Sequence, residues 1–185
     1  MPQAKKYRKP SIRAVLSVVL ITIGVVFGVV AIVAGLQPPK TSFVPSDNTA
    51  LIPEPPAGTP LAERLRWLLD GLGGADIALV EFDGSCAGTS SDACTFDSQT
   101  IGFSQNLDNR SWANLHWVMA HELAHTAQLN VWEQLTRSGL LDTPFGGDGE
   151  LLANCMAAQR GLMEGSGCTA AQLDAAAQVW DGEFP

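Results

Sequence analysis

Two histidines four positions apart bracket an acid in the run His121-Glu122-Leu123-Ala124-His125. At ~100° per residue on a helix, positions four apart lie ~40° from each other, so both imidazoles project from one face. That spacing lets two neutral ring nitrogens reach one Zn²⁺ at about 2.0–2.1 Å. Glu122, one step past the first histidine, leans over the open side of such a metal and is placed to take a proton from water. The competing reading is a helix with two surface histidines and an exposed acid.

A catalytic zinc needs a third protein donor. His116, the only other histidine, is five residues before His121 and thus about 140° around the helix, so it cannot join the same metal. Carboxylates are the candidates. Glu150 lies 25 residues after His125 in the stretch Glu150-Leu151-Leu152-Ala153-Asn154-Cys155-Met156-Ala157-Ala158. Asn154, four residues on, shares its face and suits a residue that holds a ligand imidazole by its far N–H. Asp148 is the rival ligand, but its place between glycines and before a helix favours a capping role.

Those residues need elements to carry them. Ser111 to Gln128 reads as a long helix, with Trp112, Leu115, Val118, Met119 and Leu123 as its apolar positions. Asp148 reads as the N-cap of a second helix running to about Glu164, stopped by Gly165. Thr59-Pro60 starts an earlier helix whose leucines 61, 65, 68, 69 and 72 recur at helical spacing, ended by Gly73-Gly74. Thr169 with Gln172 forms a capping-box sequence for a last helix toward Trp180. Ile77–Phe82 and Thr100–Ser104 read as strands, joined by a polar, Gly/Ser-rich loop. Trp112, Trp117, Trp132 and Trp180 read as core or rim rather than as a substrate platform. The fold class is therefore α+β.

The N-terminal part is of another kind. Residues 1–36 contain five bases (Lys5, Lys6, Arg8, Lys9, Arg13) and no acid, whereas residues 37–185 hold all 19 acids and a net charge of −13. Ala14–Leu36 is an uncharged run of 23 residues, about 34 Å as a helix and enough to span a bilayer. The basic tail 1–13 would stay in the cytoplasm, with everything after Leu36 outside. A cleaved secretory signal is the other reading, and it also exports the remainder. The glycines of Gly24-Val25-Val26-Phe27-Gly28 would let two such helices approach as a homodimer, or reflect only the frequency of Gly in membrane spans. Residues 37–58, with six prolines, read as a spacer, leaving 59–185 as the extracytoplasmic domain. Its acidity argues against a nucleic-acid partner. Four cysteines in an exported domain point to two disulfides, and sequence-local pairing gives Cys86–Cys94 and Cys155–Cys168.

The motif His-Glu-Leu-Ala-His followed by Gly149-Glu150-Leu151-Leu152-Ala153-Asn154-Cys155-Met156-Ala157-Ala158 resembles the gluzincin arrangement, HExxH with a downstream glutamate. More narrowly, it is similar to the neutral zinc metallopeptidase family of bacteria, whose second helix reads roughly E-x-x-A-D-C-x-A. The resemblance covers about 60 residues, from Ile101 to about Arg160. It implies His121, His125 and Glu150 as zinc ligands, Glu122 as the base, and a zincin-like domain. It further implies that the strand before the motif helix, here Thr100–Ser104, pairs with an extended peptide or protein substrate. The expected activity is that of a membrane-anchored zinc metallopeptidase; the alternative is a non-catalytic zincin-fold binding or scaffold module. Two departures stand out: Asn154 replaces the family's Asp, and the oxyanion-stabilising Tyr or His of many zincins has no counterpart. The only Tyr is Tyr7. Arg110, Arg137 or a backbone N–H would have to serve.

Overall fold

The leucine repeat folds as predicted. In the computed structural model of the protein, which describes residues 52–86, 88–160 and 167–184, α1 spans Leu61–Gly71 and buries Leu61, Leu65, Leu68 and Leu69. Its start differs from the expected Thr59 cap: Pro60 is the N-cap, and the Thr59 hydroxyl donates instead to the Pro56 carbonyl at 2.7 Å. Arg66 closes the other end by donating to the carbonyls of Ile77 (2.6 Å) and Gly74 (2.8 Å).

The region between the two predicted strands contains three more. After β1 (Ala78–Glu81) come β2 (Ser85–Cys86) and β3 (Thr89–Ser90), an antiparallel hairpin, then β4 (Ala93–Asp97) and β5 (Thr100–Phe103). The main sheet has the order β1-β5-β4, with β5 parallel to β1 and antiparallel to β4. This corrects one expectation. The strand at Thr100 is central, with both sides paired, and cannot accept a further strand; the free edge next to the motif helix belongs to β4.

The motif helix α2 runs Trp112–Asn130, with the Ser111 hydroxyl accepting from the Asn114 N–H. A short α3 follows (Trp132–Ser138), then α4 (Gly149–Gln159) and α5 (Ala170–Asp181). α4 closes at Gln159 with Arg160 as its C-cap, whose guanidinium donates to the Leu72 carbonyl and stacks 4.4 Å over the Trp180 ring; the rest of the predicted span, to Glu164 and Gly165, lies outside the described residues. Both halves of the Thr169–Gln172 capping box are present on α5. α2 packs on α1, on β4 and β5, and on α4, and α4 packs on α5. Leu115, Met119, Leu123, Leu152 and Met156, all fully buried, fill the space between them. Two disulfides form, Cys86–Cys94 and Cys155–Cys168, the expected pairs.

Residues 52–58, read from sequence as the end of the spacer, are fastened to the helices: Trp112 Nε1 donates to the Ile52 carbonyl at 2.7 Å and Trp67 Nε1 to that of Pro53 at 3.1 Å. The predicted tail 1–13, the span 14–36 with Gly24 and Gly28, and spacer residues 37–51 lie outside the described residues. No helix among the described residues is long and apolar enough to cross a membrane.

Candidate metal centre

Helix periodicity and one well-capped turn bring the site together. His121 and His125 leave α2 one turn apart, their Nε2 atoms 3.1 Å from each other. α4 begins opposite them because the Asp148 carboxylate accepts from the N–H groups of Glu150 and Leu151, both at 3.0 Å. Glu150, in the first turn, then sets Oε2 3.2 Å from His121 Nε2 and Oε1 3.3 Å from His125 Nε2. An ion with tetrahedral bonds of ~2.0–2.1 Å spaces its ligand atoms about 3.3 Å apart. The three side chains therefore already stand at coordination distances, and the group could hold a metal ion. Asp148 is spent on the cap and is not one of the three.

The far side of His121 fits the same use. A metal on Nε2 leaves the proton of the neutral ring on Nδ1, which then needs an acceptor. His121 Nδ1 and Asn154 Oδ1 are both buried, and neither has a partner other than the one it can offer the other. They are complementary, a donor in want of an acceptor and an acceptor in want of a donor, and Asn154 favours the charged form of His121. Burial outweighs this and lowers the His121 pKa; His125 pushes the same way, while Glu150 opposes. Trp117, one turn earlier, stacks on the imidazole with ring centroids 5.1 Å apart.

Glu122 is 8% exposed, and burial raises its carboxyl pKa against the opposing hydrogen bond from Thr95. The Thr95 hydroxyl lies 2.8 Å from Glu122 Oε2 and 2.9 Å from the Glu122 carbonyl, tying β4 to the motif helix. Thr95 was missed from sequence. The signal was the short β-forming run Ala93-Cys94-Thr95-Phe96 inside what read as a loop. Gln128 was missed as well: buried three residues after His125, it donates from Nε2 to the Gly149 carbonyl at 3.1 Å. It thereby holds the residue before Glu150 against α2.

These groups line a cleft of about 630 Å³, walled by Ala93, Cys94 and Thr95 of β4, by the His121 and His125 face of α2 and by Gly147–Glu150. Cys86–Cys94 sits in its wall. The other sequence candidates lie elsewhere. His116 is buried in the core side of α2; Arg110 pairs with Asp92 at 2.6 Å and Arg137 with Glu133. Neither arginine lines the cleft, so neither is the oxyanion donor considered above. Comparison with protein-family models, curated proteins and solved structures finds no match to this chain.

Proposed function

We propose that this chain is a zinc-dependent peptidase, held in the membrane by residues 14–36 with its α+β domain outside the cytoplasm. The observation that carries the reading is the convergence of His121, His125 and Glu150 at 3.1–3.3 Å, with the carboxyl of Glu122 buried in the same cleft. Two disulfides support an oxidising, extracytoplasmic setting. In this reading the domain is a small gluzincin-like fold, and the free edge of β4 pairs with an extended substrate.

Zn²⁺ held by His121, His125 and Glu150 would supply Lewis-acid polarisation of a carbonyl and would lower the pKa of water toward ~7. Glu122 takes a proton from the attacking water as its oxygen bonds to the carbonyl carbon, and delivers that proton to the amine nitrogen as the C–N bond breaks. A carboxyl raised by burial is closer to the working pH and so better suited to both transfers. The Thr95 hydroxyl fixes its rotamer.

Metal analysis of the purified chain should give one zinc per molecule. Glu122→Gln should keep that zinc and lose peptide cleavage by at least ~100-fold. A protein without stoichiometric zinc, or a Glu122→Gln variant that cleaves like wild type, would overturn the reading.

A non-catalytic binding module is favoured by one feature of the cleft. Its polar donors are committed: Thr89 to the Cys86 carbonyl, Ser91 to that of Ala93, and Gln128 to that of Gly149. That alternative predicts bound zinc without chelator-sensitive hydrolysis.

A further inference from the structure

The ligand face of α2 does not end at His125. Leu129 and Trp132 follow it by four and seven residues, one and two turns along the same stripe, across the bend at Val131. Both line the cleft, and they are 46% and 48% exposed, among the few large apolar side chains left open to solvent. The four-residue step from His125 to Leu129 rises about 6 Å, close to the two-residue repeat of one face of an extended chain, so a side chain resting on Leu129 belongs to a residue about two positions from the one at the metal centre. Charge narrows the choice. Among the described residues lining the cleft none is Lys or Arg, while Glu122, Asp148 and Glu150 are acidic. The surrounding residues 37–185 carry a net charge of −13.

We propose that the cleft selects an extended polypeptide segment that seats an aromatic or long aliphatic side chain on Leu129 and Trp132, flanked by neutral or basic residues rather than acidic ones. This rests on the peptidase reading of the same cleft. The shelf supplies apolar contact that a small side chain cannot use, and the net negative charge of residues 37–185 disfavours a carboxylate placed beside it.

The test is binding to the full-length, zinc-loaded Glu122→Gln protein, which holds peptide without consuming it. Dye-labelled peptides capped at both ends carry Phe, Leu or Ala at the central position and Lys or Glu beside it, and fluorescence anisotropy reads the Kd. Phe and Leu should bind about 10-fold tighter than Ala, and Glu flanks should weaken binding several-fold at low salt. In the Leu129→Ser/Trp132→Ser protein the preference for Phe and Leu should vanish while one zinc per chain remains. Equal affinity for Phe, Leu and Ala, or a preference that survives the double substitution, overturns the shelf. Equal or tighter binding of the Glu-flanked peptides overturns the charge selection. Wild-type hydrolysis is measured beside it: selective binding without any cleavage defeats the peptidase reading and leaves the shelf standing, whereas cleavage without selectivity does the reverse.

Discussion

His116 and His121 stand five residues apart on α2, and their surroundings give them opposite tasks. His121 keeps one nitrogen toward Glu150 and the cleft, so its ring has charged company. His116 is 2% exposed, its Nδ1 is buried without a partner, and burial lowers its pKa below that of a free histidine. The folded state therefore resists protonating His116, while the unfolded chain takes a proton as pH falls through ~6.5. Below that value the unfolded state holds more protons, and stability drops with falling pH down to the depressed folded pKa. Above it the contribution is complete. Urea unfolding at pH 7.5, 6.5 and 5.5 should show His116→Leu losing less stability than wild type over this interval, the difference not exceeding about 1.4 kcal/mol per pH unit, the slope of one proton. Parallel pH profiles for the two proteins would rule out His116 as a source of acid sensitivity.

At the scale of elements, the helices were legible because their signals are local. The leucines of α1 recur at 3.6-residue spacing, Ser111 and Asp148 cap the two site helices, and Thr169 with Gln172 closes α5. All four centre residues could be named for the same reason: His121, Glu122 and His125 sit inside one regular helix, and Glu150 follows a cap. The hairpin β2–β3 and strand β4 were not legible. They are two to five residues long; β4 is held by pairing with β5, β2 and β3 by pairing with each other, and Cys86–Cys94 ties β2 to β4, rather than their own propensity forming them. Because β4 was hidden, the free edge was assigned to its neighbour and Thr95 was overlooked. Gln128 was hidden differently, since a polar residue on a helix reveals its partner only when the opposing element is in place. Its bond to Gly149 spans 21 residues of chain. Gln128→Leu cuts the tie between α2 and the start of α4, and zinc affinity should fall by about 10–100-fold, as when other supports of a metal ligand are lost. Asp148→Ala should instead cost about 1 kcal/mol of stability through the lost cap and leave zinc stoichiometry unchanged. Competition with a chromophoric chelator separates the two: if Asp148→Ala empties the centre, the cap is required to place Glu150 and does more than stabilise the helix.

For the molecule as a whole, the centre joins parts that no continuous stretch of chain would hold together. α2 brings two imidazoles, α4 brings the carboxylate, and α4 is anchored on its other side by Cys155–Cys168 and by Trp180 Nε1, which donates to the Met156 carbonyl at 2.8 Å. A metal bound between α2 and α4 stabilises only the folded arrangement, because the unfolded chain separates His125 from Glu150 by 25 residues. Mass action then sets the size: free zinc at ~100 times Kd adds about 2.7 kcal/mol, or roughly 10 °C in Tm for a domain of this length. Thermal unfolding with zinc and with excess chelator should show that gap in wild type and in Glu122→Gln, and its near disappearance in His121→Ala. The bridge should couple to it. Cys155 is five residues from Glu150 on the same helix, so Cys155→Ser/Cys168→Ser frees α4 in the metal-free protein and makes zinc ordering cost more. The double serine variant should have a lower Tm without metal and a smaller zinc increment than wild type. An unchanged increment would mean that Glu150 is held by the Asp148 cap and Gln128 alone, with the disulfide acting only on global stability.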